Sequence, residues 1–144
     1  MKIRKGIAAI IFRKEKGKTK FLLLKRKQNW KGWEFIKGGS QKKETTLQTL
    51  MREIEEETGI YELYKIIKTP YSHSFKYQKP FVKDKIRYYG AKNKIFLINF
   101  RFDKIIWIDR KEHSGYGWFS KKEALKRITW PDQKKIFIKA IKRL

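Results

Sequence analysis

The apolar positions of the chain follow two periods, and the change between them marks its elements. Residues 7–12 and 21–24 are unbroken apolar runs of strand length, and residues 15–20, with Gly17, supply the turn between them. Residues 33–36 read as a third short strand that ends at Gly38-Gly39. The period then changes. Leu47, Leu50, Met51 and Ile54 stand at i, i+3, i+4 and i+7, one stripe of an α-helix. Thr45 with Gln48 makes a capping-box pair at its start, and Gly59 is a helix stop. Residues 61–67, 71–77, 95–102, 105–108 and 117–119 are strand-like, and the polar, basic stretch 81–93 reads as a loop. Ser120 with Glu123 opens a short helix through Arg127. Pro131 suits the first position of a last helix, in which Ile136, Phe137, Ala140, Ile141 and Leu144 keep helical spacing. No repeat or linker interrupts this order. The pattern predicts one domain over residues 1–144, of mixed α+β or α/β class around one sheet.

Composition narrows the chemistry. The 40% hydrophobic content is enough for a core, and the absence of cysteine excludes disulfides, thiolate metal sites and thiol nucleophiles. No apolar run approaches the roughly 20 residues that cross a bilayer. The basic start, residues 1–6, leads only into a short apolar run without a small-residue cleavage site, so it reads as a strand. A cytoplasmic protein is the default expectation, with neither membrane nor DNA as a partner. The 38 Lys and Arg against 14 Asp and Glu give a formal net charge of +24. Such a field attracts polyanions, whether RNA or a polyphosphate nucleotide. The basic residues are spread along the whole chain, which AT-rich coding would also produce.

Against that background the acidic residues are conspicuous by position. Glu53, Glu55, Glu56 and Glu57 fall within five positions of a chain that has 14 acidic residues. At about 100° per residue, Glu53, Glu56 and Glu57 share an arc of roughly 100° on the rim of the apolar stripe. Glu55 points elsewhere. The cluster occupies the last helical turn, where the helix dipole is negative and like charges at i, i+3 and i+4 repel. A bound divalent cation would offset both effects, since carboxylate oxygens are the ligands Mg²⁺ takes. A solvated acidic face balanced by nearby lysines is the other reading of the cluster alone.

The flanking residues add a spacing. Gly38 is followed after five residues by Glu44, after seven more by Arg52-Glu53-Ile54, and then by Glu56-Glu57 and Gly59-Ile60. This segment resembles the complete signature of the Nudix hydrolases, with every defined position filled. Trp33-Glu34-Phe35-Ile36-Lys37-Gly38 resembles the approach to that signature in the diadenosine-polyphosphate and RNA-pyrophosphohydrolase branch. Glu112-His113, then Trp118, then Glu123-Ala124 resembles a later region of the diadenosine tetraphosphate hydrolases. Ile36 stands where that branch usually has Pro, Gly39 where many members have His, and residues 40–43 lack the usual acidic and Pro-Gly residues.

The resemblance implies an α/β/α sandwich with a mixed sheet between helices, and Mg²⁺ or Mn²⁺ as cofactor. It implies Glu53 and Glu57 as metal ligands, Glu56 as a ligand or water-activating base, the Gly38 carbonyl as a further ligand, and Glu112 as the residue completing the site. Arg52 and Glu44 would pair to orient the catalytic glutamates, with Gly59 as the motif's closing turn. Softer candidates for substrate are Arg26, Lys37 and Lys94 for phosphates, and Phe96 and Tyr116 for a base. Trp118 is expected to be buried, and His73 and His113 are too few and too isolated to make a histidine metal site. The leading expectation is hydrolysis of a dinucleoside polyphosphate such as diadenosine tetraphosphate. Alternatives are removal of diphosphate from a triphosphorylated RNA end, clearance of damaged nucleoside triphosphates, and an RNA-binding module on the same scaffold.

Overall fold

The computed structural model describes residues 1–62, 64–101 and 106–144. Its elements are β1 (Lys2–Glu15), β2 (Lys18–Arg26), β3 (Gly32–Glu34), β4 (Ile36–Gly39), α1 (Thr46–Thr58), β5 (Tyr64–Lys83), β6 (Ile86–Phe100), β7 (His113–Phe119), α2 (Lys121–Arg127) and α3 (Pro131–Ile141). Among the described residues the strands form one mixed sheet with the path β3-β2-β1-β6-β5. Off that path β4 pairs with β1 and β7 with β2. β1 runs parallel to β6, and the other pairings are antiparallel.

Strand alternation divides the core in two. Ile7, Ala9 and Ile11 of β1 face Leu50 and Ile54 of α1, with Leu22, Leu24, Phe96 and Ile98 beside them. Ala8, Ile10 and Phe12 face the other way, onto Ala124 of α2 and Phe137, Ala140 and Ile141 of α3. A central strand apolar on both faces is why residues 7–12 read as an unbroken run. The result is helix, sheet, helix, as the resemblance implies. No helix among the described residues is long and apolar enough to cross a membrane.

Helix α1 starts and stops on local chemistry. Thr45 and Gln48 cap each other reciprocally, and Gly59 takes the left-handed conformation at φ 76°. Its inward face differs from the expected stripe. Leu47 and Met51 are exposed, and the buried positions are Thr49, Leu50, Glu53, Ile54, Glu57 and Thr58. The helix is rolled so that two glutamates, not two apolar side chains, face inward beside Leu50 and Ile54. Those two buried residues stabilise the docking by roughly 1.5–3 kcal/mol each.

Other expectations are corrected. Residues 81–93 are no loop: β5 continues to Lys83, turns on Asp84 and Lys85, both at positive φ, and returns as β6. The strand-like segments at 61–67 and 71–77 are one long strand from Tyr64, irregular between Lys68 and Ser72. The third strand is split, with β3 on β2 and β4 on β1, so the chain changes partners at the buried Phe35. Ile106–Ile108 form no strand; Ile105 and the end of the expected strand at 95–102 lie outside the described residues. Trp118 is half-buried, with Arg13 stacked 4.1 Å from its ring.

Candidate active site

The C-terminal half of α1, the β4 glycines and the turn before β7 meet at a cleft of about 550 Å³. Its walls carry Glu53, Glu56 and Glu57 from α1, Lys37, Gly38 and Gly39 from β4, and Glu112 from the turn. Arg26 and Trp30 flank one side, and Arg4, Phe75, Tyr77, Lys79 and Phe81 the other. The β5 side chains arrive through an irregularity: from Lys76 to Phe81 five positions of β5 pass against two of β6, Gly90 to Tyr88. Pro80 sits in that bulge, where its missing N–H does not break the ladder.

Arg52 ties the loop to the helix. Its Nε donates to Glu44 Oε2 at 2.7 Å, its Nη1 to Glu53 Oε1 at 2.8 Å, and its Nη2 to the Gly39 carbonyl at 3.0 Å. Glu44 also accepts from the Gln41 N–H and the Thr49 hydroxyl. The Arg52 guanidinium, with these donors, holds the Glu44 carboxyl down at about 2. The folded value lies below the ordinary 4.5, so this pair stabilises the fold above pH 4.5 and is lost as pH falls towards 2. Glu44→Gln is expected to cost about 1.5–3 kcal/mol at pH 7, with the gap to the parent closing towards pH 2. Urea denaturation of both proteins between pH 2 and 7 measures it, and a gap that does not change with pH would count against the pairing.

The glutamates are unevenly solvated. Glu53 and Glu57 are 9% and 5% exposed, whereas Glu56 is exposed and held 3.2 Å from Arg52. Burial pushes the Glu53 carboxyl up to about 7 against the pull of Arg52, with Glu56 and Glu57 adding to the rise. Burial, then the Glu57 charge, also raises Glu112, against Arg26 and His113. The acidic lining offers carboxylate oxygens, ligands that a hard divalent cation takes. Glu57 Oε2 is buried with no aligned hydrogen bond. At Gly38 a β-carbon would lie 2.1 Å from Glu53 Cδ, so only glycine leaves the carboxylate its place. These residues fit Mg²⁺ or Mn²⁺.

His113 is not isolated. Its Nε2 lies 3.0 Å from Glu34 Oε2 and its Nδ1 3.0 Å from Glu57 Oε2. Glu57, Glu112 and His113 bring ligand atoms within 4.8 Å of one another. Burial opposes charge on this imidazole, but the Glu34 hydrogen bond and the adjacent Glu57 outweigh it and raise the pKa to about 9. Glu34 is itself held below the ordinary carboxylate range: burial opposes this, and His113, Lys37 and Arg26 overcome it.

The other expected contacts divide. Arg26 and Lys37 line the cleft, but Arg26 already bonds Glu34 at 3.0 Å and stands 3.8 Å from Glu112. Lys37 Nζ lies 5.0 Å from the Phe75 ring centre. Lys94 is exposed and does not line the cleft, although its neighbour Asn93 does. Phe96 is 2% exposed within the core and offers no face to a base. Tyr116 lies opposite Leu24 on β7, away from the cleft lining. The aromatic wall is instead Phe75, Tyr77 and Phe81, spaced at 5.7 and 6.1 Å, and Trp30 also lines the cleft. Their alternation along β5 was the available signal.

The NUDIX domain family model matches residues 2–140. An RNA pyrophosphohydrolase of Campylobacter jejuni is 30% identical over 142 residues, which is 96% of this chain and 90% of that one. An RNA pyrophosphohydrolase of a Nitratiruptor species is 30% identical over 110 residues, 76% of this chain and 71% of that one. Among solved structures, an Ap4A hydrolase binary complex from C. elegans superposes with a TM-score of 0.75 at 20% identity, covering 99% of this chain and 100% of that one. The dihydroneopterin triphosphate pyrophosphohydrolase of E. coli gives 0.72 at 20% identity, covering 93% and 94%. At these identities the solved structures speak for the fold.

Proposed function

The chain belongs to the Nudix hydrolase family, and from that premise we propose that it removes diphosphate from the 5′ end of triphosphorylated RNA. The observation that carries this reading is the shape of the basic surface. The cleft does not end at Arg4, because Arg4 also lines a second groove with Lys2, Lys5, Lys42 and Lys83. A polynucleotide whose 5′ phosphates occupy the cleft has there a cationic path for its backbone. The relatives that match over 96% of the chain bear the name RNA pyrophosphohydrolase, and the +24 charge suits the same substrate.

In this reading Glu53 and Glu57, with the Gly38 carbonyl, hold Mg²⁺ or Mn²⁺, and Glu112 completes the site from the β7 side. A bound divalent cation supplies neutralisation of the diphosphate and a lowered pKa for a coordinated water. Glu56, the most exposed of the four carboxylates, adds a ligand or accepts the proton of the attacking water. Water forms a new bond to phosphorus as the phosphoanhydride P–O bond breaks, leaving 5′-monophosphate RNA and diphosphate. Arg52 and Glu44 keep α1 and its loop in register, and Lys37 and Arg4 face the polyphosphate. Phe75, Tyr77 and Phe81 offer ring faces to the first bases.

A second reading, hydrolysis of a dinucleoside polyphosphate, is favoured by aromatic residues that line the cleft from two separate parts of the chain, Trp30 before β3 and Phe75, Tyr77 and Phe81 on β5. One panel separates the two: product release with Mg²⁺ from 5′-triphosphorylated RNA, diadenosine tetraphosphate, ADP-ribose and nucleoside triphosphates. RNA is expected to be preferred, with a rate that falls steeply with salt. Replacing Lys2, Lys5, Lys42 and Lys83 with Gln is expected to lower the salt slope by roughly 0.7 for each phosphate no longer neutralised. Preference for the dinucleotide, with a slope the lysines do not change, would transfer the assignment to the second reading.

A further inference from the structure

The carboxylate of Glu57 is gripped from behind by groups that the family signature does not include. Strand pairing brings them together. β2 carries β3 on one side and β7 on the other, with Leu24 opposite Glu34 and Arg26 opposite His113. Glu34 and His113, 79 positions apart, thereby meet beneath the end of α1 at 3.0 Å. Both are almost fully enclosed, at 2% and 3% exposure. Glu34 Oε2 also accepts from Arg26 Nη1 at 3.0 Å, and Lys37 Nζ lies 3.7 Å from Glu34 Oε1. The imidazole cannot rotate without breaking this anchorage. Its other nitrogen faces Glu57 Oε2 at 3.0 Å, off the alignment of a hydrogen bond, and neither atom has a hydrogen-bond partner among the described residues. Glu34 is a carboxylate, which accepts only, so Nε2 donates to it, while Nδ1 meets Glu57 by close contact alone.

We propose that His113, fixed by Glu34, is a positioning residue that turns one oxygen of Glu57 inward and so directs the other into the cleft for the divalent cation. This rests on the reading of Glu57 as a cation ligand. The physical logic is that of groups behind a metal site, which restrict ligand orientation and raise affinity about 10–100-fold. The arrangement predicts an order among substitutions. In an asparagine at this position the side-chain amide nitrogen stands near the place of Nδ1 and preserves the polar contact with Glu57. A glutamine reaches the place of Nε2 and preserves only the link to Glu34.

The test is Mn²⁺ binding to the otherwise intact protein without substrate, followed by titration and by electron spin echo spectroscopy. His113→Ala is expected to weaken Mn²⁺ binding about 10–100-fold. His113→Asn should recover most of that loss and His113→Gln little of it. Glu34→Gln should weaken binding less than His113→Ala, and adding it to His113→Ala should change nothing more, since it acts through the imidazole. Equal effects of Asn and Gln, or Mn²⁺ binding within twofold of the parent in the alanine protein, overturn the proposal. A directly coordinated imidazole nitrogen in the Mn²⁺ spectrum also overturns it, making His113 a ligand itself. If His113→Ala does not fold, the Asn and Gln comparison decides alone. Failure of the parent to bind Mn²⁺ sinks the metal-ligand reading together with this one. Normal binding without turnover on RNA sinks only the substrate assignment.

Discussion

Glu57→Gln is expected to lower hydrolysis by about 10²–10⁴-fold while leaving the fold in place. The substitution keeps the shape of the side chain and removes one negative charge from the most enclosed of the α1 glutamates in the cleft, 5% exposed. Two effects act together. The cleft loses a carboxylate oxygen where the acidic groups converge, and the buried His113 faces an amide where it had an anion. Burial is the first cause of the raised Glu53 and Glu112 carboxyls, and the Glu57 charge adds to both, so its removal relieves each of them in the metal-free protein. The loss should therefore appear in activity and cation binding, with unfolding little changed. Initial rates across Mg²⁺ concentrations, beside far-ultraviolet circular dichroism and thermal melts, measure both. Turnover within threefold of the parent would remove Glu57 from the catalytic set.

Gly38→Ala is the second large effect, expected at about 10²-fold in activity, because displacing reacting groups by an ångström costs that much. A β-carbon here would stand 2.1 Å from Glu53 Cδ and 2.3 and 2.6 Å from its two oxygens. The Glu53 carboxylate must move, and the Arg52 guanidinium that holds it at 2.8 Å must move with it or let go. The stability cost is smaller, about 1–3 kcal/mol, because the crowded atoms end a flexible side chain. Gly115→Ala is the control, since nothing lies within 4 Å of its added carbon. The pair compared by kcat and by urea denaturation should separate: Gly38→Ala inactive and mostly folded, Gly115→Ala close to the parent. A fully active Gly38→Ala protein would show that Glu53 tolerates displacement and has no fixed role.

Helix α1 was legible because its determinants are local. Capping by Thr45 and Gln48, the left-handed turn at Gly59 and the angular spacing of Glu53, Glu56 and Glu57 involve hydrogen bonds and geometry within a few residues. Strand β1 was legible for a related reason: a strand buried on both faces is apolar without alternation. The β5–β6 hairpin was not. β5 is an edge strand of the sheet, both strands carry lysines on the exposed face, which hides the alternation, and the turn uses Asp84 and Lys85 at positive φ without a glycine. The choice of aromatic wall failed at the same place. Phe96 and Phe75 are both strand phenylalanines, and only the register decides which faces the core and which the cleft.

The sequence by itself determined the chemical content of the site: an acidic helix turn, a glycine pair ahead of it, and an Arg52–Glu44 clasp. The acidic turn and the glycines follow from residue type and spacing along one short segment, and the clasp from that segment's resemblance to the Nudix signature. Tertiary structure decided what stands around that segment. His113 and Glu112 reach Glu57 from the turn and start of β7, Glu34 fixes His113 from β3, and Arg4 and the β5 aromatics line the same cleft. Such convergence depends on strand order and on which way each pleat faces. A single-residue slip reverses the facing of every side chain in a strand, so no local pattern encodes it.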